Sequence, residues 1–330
     1  MPHIAIVGVG TIGATVAYSI AVSDPTVDVS LVDPNGDLAL GHGLDLESGF
    51  GHASHAVGAH ALVGSPLSDP PAVPVYDSVA DLGDADEDID AVIVAASAPR
   101  PSGTGHREGR LAQLDRNSTV IAEIGRALSD AQLEPVPVVV VTNPLDQMVY
   151  LLWRETDASW TREKFVGYSL SETARLARAL ARHHKVAPKE VDCPIMGQHG
   201  EVLVPIFSRV AVRGESVDLD REEEQTLLDE IRDIPYDIIQ LRGVEETSRW
   251  VSGLGVSLLT RSIVSGGPDE AVCLSTLLDG EYGYEDVALS VPVRLSSGGI
   301  DRIVEWSLSE RERTRLGRAY ESVAADTESL

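Results

Sequence analysis

The segment HIAIVGVGTIGATVAYSI, residues 3–20, decides the fold of this chain. Its first part is a short apolar run typical of a buried strand, and its last part has the apolar spacing of a helix. Between them, glycines at positions 8, 10 and 13 form a G-x-G-x-x-G pattern. A strand, a glycine turn and a helix in this order predict the first turn of a βαβ unit, where the helix N-terminus faces a bound phosphate.

Strand and helix patterns continue to alternate after this segment. Valine-rich apolar runs at 27–33, 89–97 and 136–144 are of the kind buried on both faces of a parallel sheet, and residues 109–130 have helical periodicity. We therefore predict an α/β fold in which residues 1–145 form a Rossmann-type doubly wound parallel sheet. Long amphipathic helices and strand pairs then predict an α+β substrate domain over residues 146–330.

A carboxylate follows the second predicted strand. Asp33 lies 20 residues after Gly13, where an acidic side chain accepts hydrogen bonds from the ribose hydroxyls of a dinucleotide and repels a 2′-phosphate. The carboxylate favours NAD over NADP. The alternative to a cofactor site is a glycine-rich turn that binds no ligand. The predicted cofactor residues of this region are Gly8, Gly10, Thr11, Ile12, Gly13 and Asp33.

The charge balance excludes some classes of partner. The 330 residues include 52 acidic and 26 basic ones, a formal net charge of −26. Nucleic acid is a poor partner for such a field, because phosphate binding needs a basic surface. The carboxylates are spread along the whole chain, which indicates a hydrated acidic shell of the kind found in proteins of salt-loving organisms. An ordinary acidic cytosolic protein is the alternative.

Other bulk features favour a cytoplasmic protein. No stretch of about 18 apolar residues predicts a membrane span, and the first residues look like a strand of the mature fold and not a signal peptide. Cys193 and Cys273 are the two cysteines, too few for a disulfide framework, which agrees with a reducing compartment.

One histidine stands in an unusual setting, in the segment PIMGQHGEVLVP, residues 194–205. Apolar residues on both sides predict a strand interrupted by a tight turn at His199. Flanking glycines let backbone or ligand come close, and the unperturbed pKa of histidine lies nearest neutrality. His199 is therefore a candidate acid/base, and the alternative is a polar residue at a bend.

Several motifs taken together resemble those of the NAD-dependent lactate/malate dehydrogenase family. They occur in the family's order and span nearly the whole chain: VGVGTIG, LVD, LDLESG, APRPSGTGHREGRLAQLDRN, VTNPLD, GYSLSETARLAR and GQHGE. The resemblance implies oxidation of a 2-hydroxy acid, in which a base takes the hydroxyl proton while hydride leaves for the nicotinamide. By this resemblance His199 is the acid/base.

The resemblance also assigns a partner to that histidine. Glu172 occupies the position of the family's aspartate, one methylene longer, and would hold the imidazole in one tautomer and stabilise its charged form. The alternative is an exposed first-turn glutamate favoured by the helix dipole. Arg175, on the same helix face, would bind the substrate C1 carboxylate bidentately. Asn143 corresponds to the family asparagine that bonds substrate or nicotinamide ribose.

The remaining implied residues lie in a lid and in a late helix. Counting back from Asn117 assigns Arg110 to polarising the substrate carbonyl, whereas counting forward from Ala98 assigns Arg100 to substrate specificity. The two counts disagree by three residues, which predicts a longer lid and makes Arg107 a rival for either role. Ser248 and Ser252 correspond to positions that contact substrate and nicotinamide, respectively.

The sequence favours one function and leaves others open. An NAD-dependent malate dehydrogenase that associates as a homodimer or homotetramer is the leading interpretation, with a lactate or other 2-hydroxy acid dehydrogenase next. An NAD-using glycosidase and a non-catalytic NAD-binding protein are the alternatives from other classes. No metal site is predicted, because no cysteine or acid cluster completes a ligand set around His52, His55 and His60.

The acidic composition generates the first prediction. We expect the melting temperature to rise as potassium chloride goes from low to molar concentration, because salt screens the repulsion within a chain of net charge −26. Thermal denaturation monitored by circular dichroism measures this, with a neutral osmolyte as the control for hydration effects. A flat or falling melting temperature in salt would contradict the halophilic interpretation.

Overall fold

The computed structural model describes residues 1–24, 26–55, 72–85, 88–99, 110–243, 248–328 and 330, with side chains for all of these except 51–55, 110 and 111. Within these ranges, no helix is long and apolar enough to cross a membrane.

Six parallel strands form the first part of the sheet. They are β1 His3–Val7, β2 Asp28–Val32, β3 Val75–Tyr76, β4 Ala91–Val94, β5 Val138–Val140 and β6 Phe165–Gly167. Their spatial order is β3-β2-β1-β4-β5-β6, that of a doubly wound dinucleotide-binding sheet. The strand order reverses between β1 and β4, where the carboxyl ends of the strands leave a crevice for a ligand.

Helices cover both faces of these strands. They are α1 Thr11–Ser23, α2 Gly36–His55, α3 Arg110–Asp130 and α4 Leu145–Arg154. Every residue of β1 is buried, with Ile4 and Ile6 in the core on one face and Ala5 and Val7 in the core on the other. Burial on both faces explains why these strands are continuous apolar runs, and the predicted fold class is confirmed.

The second part of the chain adds antiparallel strands and four helices. The strands are β7 Val191–Asp192, β8 Ile195–Gly197, β9 Leu203–Pro205, β10 Ala211–Val212, β11 Glu215–Ser216, β12 Val272–Asp279, β13 Glu285–Ser296 and β14 Gly299–Ile303. The helices are α5 Leu170–His184, α6 Arg221–Arg242, α7 Arg249–Val264 and α8 Glu310–Thr327. Strands β12, β13, β8 and β9 continue the main sheet beyond β6, so the parallel sheet extends past residue 145 and the division of the chain at that residue stays a prediction.

The order of strands positions the candidate site. Ser275 of β12 pairs with Gly167 at the end of β6, and Ser290 of β13 pairs with Gly197 at the end of β8. Helix α5 starts three residues after Gly167, and His199 lies two residues after Gly197. Segments far apart in sequence therefore meet on neighbouring strands. The strand β8 followed by a bend at His199 agrees with the strand and turn predicted there.

Candidate active site

The glycine turn after β1 has two closely packed glycines and one open one. Gly8 has a φ of +87°, and a Cβ on it would lie 2.4 Å from the backbone of Ala96. A Cβ on Gly13 would lie 1.9 Å from the carbonyl oxygen of Gly8. A Cβ on Gly10 would have no neighbour within 4 Å. Gly8 and Gly13 are therefore required by the fold, whereas Gly10 leaves space through which a ligand can approach the backbone.

The N-terminus of α1 borders this space. The helix begins at Thr11, its N-cap Gly10 has no side chain to accept a bond, and its first turn has no acidic residue. Because first-turn amides lack partners within a helix, the N–H groups from Thr11 to Gly13 are available to an anion. The turn thus suits the pyrophosphate of a dinucleotide.

Asp33 stands beside the same turn. Its Oδ2 accepts a hydrogen bond from the N–H of Val9 at 3.0 Å, and its Oδ1 accepts one from the N–H of Asn35 at 2.9 Å. A carboxylate has about four acceptor positions, so capacity remains for the hydroxyls of a ribose. The glycines, the helix terminus and this half-buried acid together fit NAD.

Three of the predicted catalytic and substrate-binding residues, His199, Glu172 and Arg175, lie in contact with one another through Glu172. Nδ1 of His199 lies 3.1 Å from Oε2 of Glu172, with both side chains largely buried. Neither atom makes a well-aligned hydrogen bond within the described residues, so the contact is an ion pair by distance. Glu172 lies in the first turn of α5, where the helix dipole also favours a negative charge. The glutamate thus reaches the histidine despite its extra methylene.

Burial and charge act in opposite directions on this pair. Burial lowers the pKa of His199, but the carboxylates of Glu172 and Asp146 outweigh it, so the pKa lies above its usual value. Burial raises the pKa of Glu172, but His199 and Arg175 together hold that pKa below its usual value. The pair therefore favours a charged imidazolium beside an ionised carboxylate.

Arg175 lies one turn along α5. Its Nη1 is 3.5 Å from Oε1 of Glu172, so the two oxygens of that carboxylate face different cations. Burial lowers the pKa of Arg175, although Glu172 opposes this effect. A largely buried guanidinium close to the histidine is suited to bind a carboxylate.

Asn143 follows β5 at the carboxyl edge of the parallel sheet, and it is exposed. Its carbonyl oxygen accepts a hydrogen bond at 2.7 Å from Nδ2 of Asn117, a buried residue of α3. The Oδ1 of Asn117 accepts another from the N–H of Ala98 at 3.0 Å. Asn117 therefore ties together the two segments that follow β4 and β5.

Ser248 and Ser252 lie at the start of α7. The N–H of Ser252 donates to the carbonyl oxygen of Ser248 at 3.3 Å, and the hydroxyl of Ser248 has no partner among the described residues. The neighbouring Gly253 packs against Thr15 of α1, since a Cβ there would lie 2.4 Å from Cγ2 of Thr15. This contact holds the start of α7 against the helix that follows the glycine turn.

Other predicted positions lie outside the described part of the chain. Arg100, Arg107 and His60 are outside the described residues, and so are the side chains of His52, His55 and Arg110. The backbone of Arg110 begins α3. In the residues that are described, no group of three or more histidine, cysteine or acidic side chains could hold a metal ion.

Three polar residues near the site were not predicted from the sequence, namely Asn117, Asp146 and Ser275. The first two stand within the quoted motifs, and Asp146 is an acid followed by an apolar helix, a signal that could have marked it as buried. Ser275 is fully buried in the middle of β12, and nothing in its sequence neighbourhood distinguishes it.

Comparisons with known proteins identify the family. Residues 67–167 match the model of the lactate/malate dehydrogenase NAD binding domain, and residues 172–329 match that of the lactate/malate dehydrogenase alpha/beta C-terminal domain. The malate dehydrogenase of Thermoproteus tenax is 31% identical over 330 residues, covering 99% of this chain and 98% of that protein. The chain belongs to the lactate/malate dehydrogenase family.

Other members of the lactate/malate dehydrogenase family are similarly distant. L-lactate dehydrogenase 1 of Bacillus cereus is 28% identical, covering 97% of this chain and 95% of that protein. The structure of the malate dehydrogenase from Aeropyrum pernix superposes with a TM-score of 0.82 at 26% identity, covering 99% of this chain and 98% of that one. Membership of this family confirms the prediction that the protein is an oxidoreductase. The match to its NAD binding domain confirms NAD as the predicted cofactor.

The glycine turn generates a prediction with a matched pair of variants. Gly10→Ala should leave the thermal stability of the cofactor-free protein nearly unchanged, because the added Cβ meets no atom within 4 Å. It should weaken NADH binding by roughly tenfold or more, ~1.4 kcal/mol. Gly13→Ala should lower the melting temperature, because its Cβ would collide with the carbonyl oxygen of Gly8. NADH fluorescence titration measures the affinity, and parental affinity in Gly10→Ala would contradict the assignment.

Proposed function

We propose that the protein is an NAD-dependent malate dehydrogenase that interconverts (S)-malate and oxaloacetate. The observation that carries the proposal is the buried contact of His199 with Glu172, next to Arg175. These residues supply an acid/base, a charge that stabilises its protonated form, and a cation for the substrate. Full-length similarity to malate dehydrogenases supports the same substrate.

The proton step follows from the orientation of the ring. Nδ1 of His199 faces Glu172, so Nε2 exchanges the proton with the C2 oxygen of the substrate. When bound, NAD supplies the acceptor for the hydride that leaves C2 of malate. Glu172 keeps the ring in one tautomer and stabilises the imidazolium that forms. General acid/base catalysis of this kind contributes ~10²–10⁴-fold to the rate.

Three arginines complete the proposed substrate site. Arg175 binds the C1 carboxylate, and Arg110 polarises the C2 carbonyl from the end of the lid. Arg100 pairs with the second carboxylate of malate, with Arg107 as the alternative. Asn143 bonds the substrate or the nicotinamide ribose, and Ser248 contacts the substrate. Each residue is assigned its role from its place in the family motifs of the sequence.

The proposed cofactor residues lie along the crevice at the carboxyl ends of β1 and β2. The turn binds pyrophosphate through backbone N–H groups, Asp33 accepts bonds from the adenosine ribose, and Asn143 and Ser252 lie at the nicotinamide end. The turn residues are Gly8, Gly10, Thr11, Ile12 and Gly13. We further propose residues 1–145 as the NAD-binding domain and residues 146–330 as the substrate domain.

Lactate or another 2-hydroxy acid is the second candidate substrate, because L-lactate dehydrogenase 1 of Bacillus cereus is also similar over nearly its full length. The NAD-using glycosidases lose support, since their metal is held by a cysteine. Cys193 is buried, and burial raises the pKa of its thiol to about 12, which disfavours the thiolate that binds metals.

We propose that the protein acts in the cytoplasm of a salt-adapted cell as a homodimer or homotetramer, without nucleic-acid or membrane partners. Self-association is supported by an apolar stripe on one face of α7. Trp250, Leu254 and Leu258 are spaced four residues apart, and each is more than half exposed. Single exposed apolar residues are common, but a contiguous group of this size is typical of an interface.

The histidine–glutamate contact generates a prediction about pH. Reduction of oxaloacetate requires protonated His199, so its rate falls as the pH rises through the pKa of that residue. Glu172→Gln removes a charge that raises this pKa, so the midpoint should move to lower pH and turnover should fall. Steady-state pH–rate profiles measure this, and His199→Asn should lower turnover by ~10²-fold or more with NADH binding intact.

Glu172→Asp is the matched control, because it keeps the charge and restores the family residue. It should keep more of the parental profile than Glu172→Gln. A Glu172→Gln enzyme with parental turnover and midpoint would show that the acid partner of His199 lies elsewhere.

The substrate generates a separate prediction. A closed pocket that surrounds an arginine rejects pyruvate, because the guanidinium then lacks its carboxylate partner. Arg100→Gln, or Arg107→Gln if that residue is the partner, should lower kcat/KM for oxaloacetate sharply and narrow its ratio to that for pyruvate. NADH oxidation followed by absorbance measures both values.

Arg182→Gln is the control for the loss of one positive charge, since Arg182 is exposed and paired with Glu230. It should leave the ratio unchanged. A parent protein that prefers pyruvate, or a ratio that neither lid variant alters, would overturn the malate proposal and leave the dehydrogenase class.

A further inference from the structure

A second carboxylate contacts the histidine segment through its main chain. Asp146, the second residue of α4, is 1% exposed. Its Oδ2 accepts a hydrogen bond from the backbone N–H of His199 at 2.8 Å, and its Oδ1 accepts one from the hydroxyl of Ser275 at 2.6 Å. A carboxylate is costly to bury unless such donors stabilise its charge, so these bonds fix Asp146 between two other segments.

The segment that carries His199 needs an external anchor. It connects β8 to β9 and is flanked by Gly197 and Gly200, whose φ values of +86° and +91° belong to the left-handed region. Within the segment, the N–H of Gln198 donates to the carbonyl oxygen of Val202 at 3.1 Å. Glycines give the main chain freedom on both sides of His199, and the bond to Asp146 removes that freedom at the histidine itself.

We propose that Asp146 is a positioning residue for His199: its buried carboxylate fixes the main chain that carries the imidazole. This inference rests on the proposed role of His199 as the acid/base. Two acids then act on His199 at different atoms. Glu172 contacts Nδ1 of the ring, whereas Asp146 accepts the hydrogen bond of the backbone N–H.

The charges around the ring explain why a second acid is useful. The described groups that act on His199 are Glu172 and Arg175 from α5 and Asp146 from α4. Arg175 opposes the protonation of His199, and Asp146 favours it. Asp326 of α8 accepts a bond at 3.1 Å from Gln147, the neighbour of Asp146, and is not among the charges that act on His199. Asp146 therefore offsets the cation that the substrate carboxylate requires.

The test is the titration of the His199 ring by NMR in the protein without cofactor or substrate, with His199→Asn to assign its signal. Asp146→Asn keeps the shape of the side chain, and its amide can still accept from His199 and donate to Ser275. We expect the pKa of His199 to fall below that of the parent. Reduction of oxaloacetate should slow near neutral pH, because less of His199 is protonated once the negative charge is removed.

Glu312→Gln is the matched control. Glu312 is also a buried carboxylate, bonded to the backbone N–H of Ser208 and to the hydroxyl of Ser309, but it is not among the charges that act on His199. It should lower the melting temperature and leave the His199 titration and the turnover unchanged. The same result in Asp146→Asn, lower stability with an unchanged titration, would reduce Asp146 to a structural role and overturn the proposal.

A second variant covers the case in which Asp146→Asn does not fold. Ser275→Ala removes one of the two donors that hold the carboxylate of Asp146, so the anchor of His199 weakens and the pKa of His199 should shift in the same direction as in Asp146→Asn. An unchanged His199 pKa in Ser275→Ala would overturn the proposal. Because the titration needs no turnover, a protein that reduces neither oxaloacetate nor pyruvate would refute the proposed function while the titration still decides the effect of Asp146.

Discussion

The contact between His199 and Glu172 is the constraint on which the site depends, because both groups are largely removed from water. A buried charge without a partner is strongly destabilising, whereas a buried pair is tolerable when its remaining positions are also bonded. Here the second oxygen of Glu172 faces Arg175, and the backbone of His199 is bonded to Asp146. Each charge in the group is therefore acceptable only because the others are present.

The sheet makes this arrangement possible by bringing distant segments to neighbouring strands. The order β6-β12-β13-β8 joins the strand before α5 to the strand before His199. The last helix, α8, also bonds the neighbours of Asp146 and His199: Asp326 accepts from Gln147, and Ser322 donates to Gln198 at 3.3 Å. Residues from the middle and from the C-terminal end of the sequence thus contribute to the geometry of one imidazole.

The sequence predicted the parts of this structure that depend on local pattern. The valine-rich strands and the glycine turn are local, because burial on both faces and a φ of +87° at Gly8 dictate residue types at fixed spacing. The resemblance to a family supplied Glu172 and Arg175, which the structure brings within 3.5 Å of each other. Ser275 could not be found in this way, because its partnership with Asp146 arises only from the pairing of β12 with β6, a long-range contact with no local signature.

The length of the glutamate side chain has a consequence for how the site balances its charges. Glu172 presents Oε2 to the histidine and Oε1 to the arginine, so one negative charge contacts both the proposed acid/base and the proposed substrate-binding cation. Arg175 acts against protonation of His199, so the imidazolium is stabilised less than it would be by Glu172 alone. A substrate carboxylate bound to Arg175 would offset the positive charge that acts against protonation of His199. Substrate binding and readiness for proton transfer would then be coupled through one side chain, with Asp146 holding the histidine in place when the substrate is absent.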